Sequence, residues 1–213
     1  MNESLKPYRI IQFAKAPVVG KVKTRLAPLI GVQRACTLHC HLLEHSLKML
    51  INSGLGNVEL HTDDIDHPFI QSLSLQYRVH TRQQQGLDLG HRMHFAIANA
   101  LTEPGCQAVV LVGSDCPVLS AAYIAQAIDQ LTNGMDVVFG PALDGGYVLV
   151  AMRKTNAAIF EGIAWGSDQV LQQSLKVVKA QGLHVHCLAP LQDIDRPQDL
   201  DCLAQFGIES VSY

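Results

Sequence analysis

Val109-Val110-Leu111-Val112-Gly113-Ser114-Asp115-Cys116-Pro117 decides how the rest of the chain is read. Four consecutive branched or long apolar residues predict a strand buried on both faces, as at the centre of a parallel sheet covered by helices. Gly113 and Pro117 then end it, because the glycine frees the backbone and the proline has no N–H to offer a neighbouring strand. Asp115 is thereby placed just past the strand's carboxyl end. Open α/β sheets bind ligands there, so a metal or phosphate site is sought at this carboxylate. The simpler reading of the same residues is a turn, with Ser114 or Asp115 shaping it or capping a helix over residues 120–131.

On either side of this stretch, apolar strands alternate with amphipathic helices. Residues 8–14 read as a first strand, followed by a loop over 15–26 that carries Lys15, Lys21, Lys23 and Arg25 beside Pro17 and Gly20. Ala35, Leu38, Leu42, Leu43, Leu47 and Leu50 recur at three- and four-residue intervals and predict a helix ending near Ser53-Gly54. A strand over 58–62, a short helix over 69–75 and a strand over 77–81 come next, and Gly86 to Met93 opens a helix that Glu103-Pro104-Gly105 breaks. Beyond the central strand, residues 136–140 and 146–152 are two strands joined by a short turn, which predicts local antiparallel pairing in an otherwise parallel sheet. Ser167 is expected to cap a helix over 167–181, a last strand runs over 184–188, and Asp193 to Leu200 leads into a terminal helix. The pattern is one α/β domain covering residues 1–213, with its core at about 8–206.

The composition narrows the partners. With 213 residues, 48% of them hydrophobic, the chain can bury a sizeable core. A net charge of -3 without any Lys/Arg block argues against nucleic acid as a partner. No apolar run approaches the roughly 20 residues that span a bilayer, and the polar start lacks a signal peptide's apolar core, so no membrane association and a cytoplasmic location are expected. The six cysteines, Cys36, Cys40, Cys106, Cys116, Cys187 and Cys202, include no C-x-x-C pair and read as small buried hydrophobes. Cys36/Cys40 and His41/His45 each have i, i+4 spacing, but the two pairs project about 100° apart on a helix and do not converge on one zinc ion.

Three motifs carry possible chemistry. A strand, a basic Gly-containing loop and a helix offer N–H groups and cations to an anion, although the spacing is neither that of a Walker A loop nor G-x-G-x-x-G; a solvated lysine-rich loop is the plain alternative. In Asp144-Gly145-Gly146-Tyr147, paired glycines permit positive φ or close approach of a ligand, and Tyr147 offers a ring and a hydroxyl, while Asp-Gly is equally a hairpin signal. Asp193 and Asp195 lie at the end of the last strand. If they converge with Asp115, their oxygens suit Mg²⁺ or Mn²⁺ bridging substrate phosphates; alternatively Asp193 or Asp195 caps the helix that begins at Pro197.

Six motifs follow one another along the chain: Phe13-Ala14-Lys15-Ala16-Pro17, Gly20-x-Val22-Lys23-Thr24-Arg25-Leu26, Asp88-Leu89-Gly90-x-Arg92-Met93, Gly113-Ser114-Asp115-Cys116-Pro117, Gly140-Pro141-Ala142-x-Asp144-Gly145-Gly146-Tyr147 and Asp193-Ile194-Asp195-x-Pro197-x-Asp199-Leu200. Taken together they resemble the DUF2064 family of small bacterial GT-A-like transferases. The resemblance implies a nucleotide-diphospho-sugar transferase fold, a three-layer sandwich around a mostly parallel, mixed sheet. The first loop is also similar to that of phospholactate guanylyltransferases, which share the fold. Gly166-Ser167 after Trp165, and Arg196, depart from the family pattern at positions expected to touch the acceptor.

The activity expected on this basis is a metal-dependent nucleotidyl or glycosyl transfer from a nucleoside triphosphate or nucleotide-sugar to a small acceptor. Lys15, Gly20, Lys23, Thr24 and Arg25 would hold phosphates, with Asp88, Leu89, Gly90 and Arg92 bordering the base or phosphates. Asp115 with Asp193 or Asp195 would hold Mg²⁺ or Mn²⁺. Asp115, Lys23 and Arg25 would carry the chemistry, and Asp144, Gly145, Gly146, Tyr147 and Trp165 would shape the acceptor pocket. A single acid after the central strand, where glycosyltransferases of this fold commonly carry D-x-D, leans towards nucleotidyl transfer. The alternatives are a non-catalytic nucleotide-binding or scaffold protein of the same fold and, more remotely, a phosphoacceptor role for Asp115.

Overall fold

Seven strands form one sheet in the order β3-β2-β1-β4-β6-β5-β7, with β1 at Tyr8–Ala14, β2 at Asn57–Thr62, β3 at His80–Gln83, β4 at Ala108–Gly113, β5 at Val137–Pro141, β6 at Tyr147–Met152 and β7 at Val185–Cys187. The computed structural model describes residues 6–206, apart from the side chains of Cys202, Ala204, Gln205 and Phe206; the polar start of the chain and the Cys202 side chain therefore lie outside the described residues. All neighbouring strands are parallel except β6, which pairs antiparallel with both β4 and β5, as the short turn between β5 and β6 requires.

The central stretch is buried as its sequence dictates. Val109, Val110 and Val112 have no exposed surface, because strand residues alternate faces and both faces are covered. Ile10, Val110, Val112, Leu149 and Ala151 pack towards α2 (Val32–Ser53) and α5 (Ala121–Thr132). Ile11, Phe13, Val109, Leu111, Val150 and Met152 pack towards α4 (Leu89–Thr102) and α6 (Val170–Ala180). Further along, α2 also packs on α3 (Pro68–Tyr77) through Leu43, Leu47, Ile70 and Leu73. The described residues thus form one three-layer α/β domain. Among them no helix is long and apolar enough to cross a membrane.

The helix signals worked where a side chain supplied the cap. Asp88 accepts a hydrogen bond from His91 N at 2.8 Å, and Ser120 accepts one from Tyr123 N at 3.3 Å. Three expectations are corrected. The third strand is His80–Gln83, because Tyr77 completes α3 and Arg78 turns the chain in a left-handed conformation with φ 51°. Ser167 does not cap α6, whose N-cap is Gln169 without a side-chain bond; the Ser167 hydroxyl accepts from Gln169 N and donates to Ala164 O, a turn of its own. The terminal helix is a 3-10 helix at Pro197–Phe206, and its start is held by the Asp199 carboxylate, which accepts from the N–H groups of Asp195 and Arg196.

Candidate functional site

A cavity of about 700 Å³ opens at the carboxyl ends of β1 and β4, within the size range of small-molecule sites. One side is the basic loop, with Lys15, Lys21, Thr24 and Arg25 exposed along it. The Asp144–Tyr147 turn, Trp165 and the segment carrying Asp193 and Asp195 form the other side. The start of α4 closes a third wall with Leu89, Arg92 and Met93.

Asp115 stands where the end of β4 meets this cavity, and it is the best-connected acid in it. Its Oδ2 lies 2.9 Å from Lys23 Nζ, and its Oδ1 accepts from the Ser114 hydroxyl at 3.2 Å and faces His39 Nδ1 at 3.8 Å. Desolvation pushes the Asp115 carboxyl up, but the charge of Lys23 and the facing imidazole outweigh it and hold the group well below the usual carboxylate range. Lys23 is the surprise of the basic loop. Its side chain is only 2% exposed and also donates to Ile194 O, and its backbone sits at φ 48°, an uncommon conformation for a residue with a side chain. The sequence led us to expect a solvent-facing phosphate ligand at this position, whereas the structure buries it as the fastener between the loop, Asp115 and the last strand's extension.

That extension is drawn into the site by backbone bonds: Ile194 N donates to Asp115 O at 2.9 Å, and Leu191 N to Pro141 O at 2.9 Å. Asp193 and Asp195 then diverge in role. Asp195 is engaged by Arg25 Nη1 at 2.5 Å, an ion pair with 52% and 32% of the two side chains exposed. The Asp193 carboxyl is pushed up to about 6 by burial and then by the negative charges of Asp144 and Asp115. Asp144, Asp115 and Asp193 therefore crowd one region with like charge. Among the described residues no three His, Cys, Asp or Glu side chains already form a metal-holding group. Oxygen donors from two carboxylates are nonetheless the donor set with which Mg²⁺ and Mn²⁺ are held when substrate phosphates and waters complete the shell, and the mutual repulsion at Asp193 is what such a cation would relieve. The residues present fit that ion.

The residues from Asp144 to Trp165 form an edge braced by local contacts. Asp144 Oδ1 accepts from Gly146 N at 2.9 Å. Gly145 lies at φ 94°, and a side chain there would collide with the Asp168 carbonyl, so this position accepts only glycine. Tyr147 packs at a tilt on Phe139, ring centroids 4.9 Å apart, and meets Trp165 edge-on at 6.4 Å, and burial raises its hydroxyl above the ordinary tyrosine range, keeping it protonated.

Of the residues singled out from sequence, Lys15, Lys23, Thr24, Arg25, Leu89, Arg92, Asp115, Asp144, Gly146, Tyr147, Trp165, Asp193 and Asp195 line this one cavity. Gly20, Asp88, Gly90 and Gly145 do not; they shape the elements behind it, Asp88 as the α4 cap and Gly90 by letting the Trp165 indole approach α4. His39 and Gln84 line the cavity and were missed. The place of His39 on the apolar face of α2, directly after the basic loop, was the available signal. Gln84 carried no signal beyond its position at the end of β3, where its amide donates to Ala14 O and His61 O.

The model of a bacterial family described as uncharacterized, DUF2064, matches residues 46–167. A solved structure from Desulfovibrio desulfuricans, provisionally named a nucleotide-diphospho-sugar transferase, is 31% identical over 97% of this chain and 90% of its own, with a TM-score of 0.85. Two more distant structures share the fold alone. The 4-diphosphocytidyl-2C-methyl-D-erythritol synthase of Anaerococcus prevotii is 12% identical over 91% of this chain and 94% of its own, TM-score 0.61. Rv0371c of Mycobacterium tuberculosis, solved in complex with manganese, is 16% identical over 93% and 97%, TM-score 0.57. No curated protein matches the sequence.

Proposed function

The chain belongs to the DUF2064 family, and we propose that it is a Mg²⁺- or Mn²⁺-dependent nucleotidyltransferase, using a nucleoside triphosphate and a small hydroxyl-bearing acceptor, in the cytoplasm. The observation that carries this reading is the division of one cavity between exposed cations on the first loop and an acidic, aromatic wall opposite, with Asp115 between them. A triphosphate is the ligand whose charge matches Lys15, Lys21, Arg25 and Arg92 together, and Arg25 can grip phosphate oxygens in a two-pronged manner. The names of the distant structures, one a diphosphocytidyl synthase and one solved with manganese, agree with this reading.

In the proposed reaction the acceptor oxygen attacks the α-phosphorus. The new O–P bond forms as the bond from the α-phosphorus to the bridging oxygen breaks, pyrophosphate leaves with that electron pair, and the acceptor's proton passes to water. The work of the chain is positioning and charge neutralisation. Lys15, Lys21, Thr24 and Arg25 hold the phosphates, and Arg25 must exchange Asp195 for a phosphate oxygen to do so. Lys23 keeps Asp115 ionised and fixed. Leu89 and Arg92 border the nucleotide, and Asp144, Tyr147 and Trp165 orient the acceptor. Asp115 and Asp193 would hold the divalent cation, which when bound neutralises the charge developing on the leaving pyrophosphate.

Glycosyl transfer from a nucleotide-sugar is the second reading, favoured by the aromatic wall at Tyr147 and Trp165 and by the name of the Desulfovibrio structure. Incubation with each nucleoside triphosphate and Mg²⁺ across a panel of alcohols, sugars and hydroxy acids tests the choice. Pyrophosphate release supports nucleotidyl transfer. Release of a nucleoside diphosphate from nucleotide-sugars alone supports the second reading, and nucleotide binding without turnover of either kind returns the chain to a binding role.

A further inference from the structure

We propose that His39 and Cys36, two residues on one face of α2, are positioning residues that hold the phosphate-binding loop in its ligand-ready shape, and that His39 sets this loop in register with Asp115. The inference rests on the nucleotide reading above. Residues 15–26 form no strand, so the shape of the loop must come from bonds to its backbone. Two of these come from beneath. His39 Nε2 is 2.9 Å from Lys15 O, and the Cys36 thiol donates to Pro17 O at 3.1 Å. A carbonyl only accepts, so Nε2 carries the hydrogen, and Nδ1 is left facing Asp115 Oδ1 at 3.8 Å. Both residues are buried, His39 at 4% and Cys36 at 5% exposure, and their i, i+3 spacing sets both on the same face of the helix.

The rest of the first turn is satisfied in the same way. Ala16 N donates to Asp63 Oδ1 at 2.7 Å, and Val18 N to Ala16 O at 2.8 Å. With its backbone fixed inward, the loop turns the Lys15 and Lys21 side chains out into the cavity. A loop ordered before its ligand arrives does not lose that conformational freedom on binding, and His39 joins the loop to the acid at the end of β4 from α2, as Lys23 does from within the loop.

The test is isothermal titration of the full chain with Mg²⁺ and inorganic tripolyphosphate, which probes the phosphate subsite without assuming a base. Apo melting temperatures are measured alongside, and the titration is run well below them. His39→Leu is expected to weaken tripolyphosphate about fivefold to tenfold, and Cys36→Ala, which removes a weaker donor, about twofold to threefold. His39→Gln, whose amide nitrogen can still donate to Lys15 O, is expected to stay within about twofold of the native protein. A purely structural role would lower the melting temperature and leave these affinities equal. Native-like affinity in His39→Leu, or a His39→Gln variant no better than His39→Leu, overturns the proposal. A native protein that binds neither tripolyphosphate nor any nucleoside triphosphate overturns the nucleotide reading itself, and the proposal with it.

Discussion

Lys23 Nζ lies 2.9 Å from Asp115 Oδ2, with the lysine side chain 2% exposed and the aspartate 41%. The pair is therefore lopsided: Asp115 keeps access to water, and Lys23 has none. Removing the acid strands a buried ammonium, whereas removing the lysine leaves a carboxylate that solvent can still reach.

From this asymmetry Asp115→Ala should cost about 1–3 kcal/mol of unfolding free energy, less than a fully buried pair because the aspartate is part solvated. Lys23→Met should cost less, and the double variant should recover part of the Asp115→Ala loss. Urea denaturation of the three variants checks the order; equal losses from the two single variants would contradict it.

A second ionic group lies away from the cavity. Glu59 is 2.7 Å from Arg82 Nε and 2.9 Å from His61 Nε2, and Arg82 also meets Glu103, which pairs with Arg9 at 2.6 Å. Burial raises the Glu59 carboxyl, but hydrogen bonds from His61 and Arg82 outweigh it and lower the group below its ordinary value. A depressed folded value means that the contribution is present above the unfolded glutamate value of about 4.3 and is lost as pH falls through the folded value. Glu59→Gln should cost about 1–2 kcal/mol at neutral pH, with the gap to the native protein narrowing below about pH 4. A gap independent of pH would contradict this account of the network.

Asp193 has the opposite sign. Its carboxyl, raised to about 6 by burial and by Asp144 and Asp115, is ionised above that pH at a cost to the folded state. Asp193→Asn should therefore raise the melting temperature of the metal-free protein at pH 8, and raise it less at pH 5. The same variant should respond less to Mg²⁺ with nucleotide, the exchange of stability for function seen where like charges are held together to receive a ligand.

Gly90 and Trp165 offer a local probe, because Trp165 is the only tryptophan in the chain. A side chain at Gly90 would lie 2.7 Å from Phe160 O and 2.8 Å from the indole. Gly90→Ala should cost about 1–3 kcal/mol through this clash and shift the tryptophan emission. Unchanged emission and stability would show that the α4–Trp165 contact has room to spare.

The fold was legible where residue type and burial agree. The Val109 to Val112 run, the leucine spacing of α2 and the short turn before β6 each predicted their element, since both faces of a central strand and one face of a helix must be apolar. It was less legible at the edges. β3, His-Thr-Arg-Gln, has no apolar face to display, and Ser167 uses its hydroxyl in a turn that mimics a cap signal. Within the site, the residue types at Lys15, Arg25, Asp115, Asp144 and Trp165 pointed to the cavity that they line. Partners could not be read from spacing: nothing local shows that Lys23 turns inward, that Arg25 takes Asp195, or that His39 lies beneath the loop, because each contact is made between elements distant in sequence.

Titration of the native protein with ATP, GTP, CTP and UTP, each with and without Mg²⁺ and followed by Trp165 emission, tests the central claim most directly. The account predicts that at least one triphosphate binds with Mg²⁺ and that its affinity falls tenfold or more without the metal or in Arg25→Ala, a loss of about 1.4 kcal/mol or more. Absence of binding by every triphosphate, or binding indifferent to both the metal and Arg25, would contradict it.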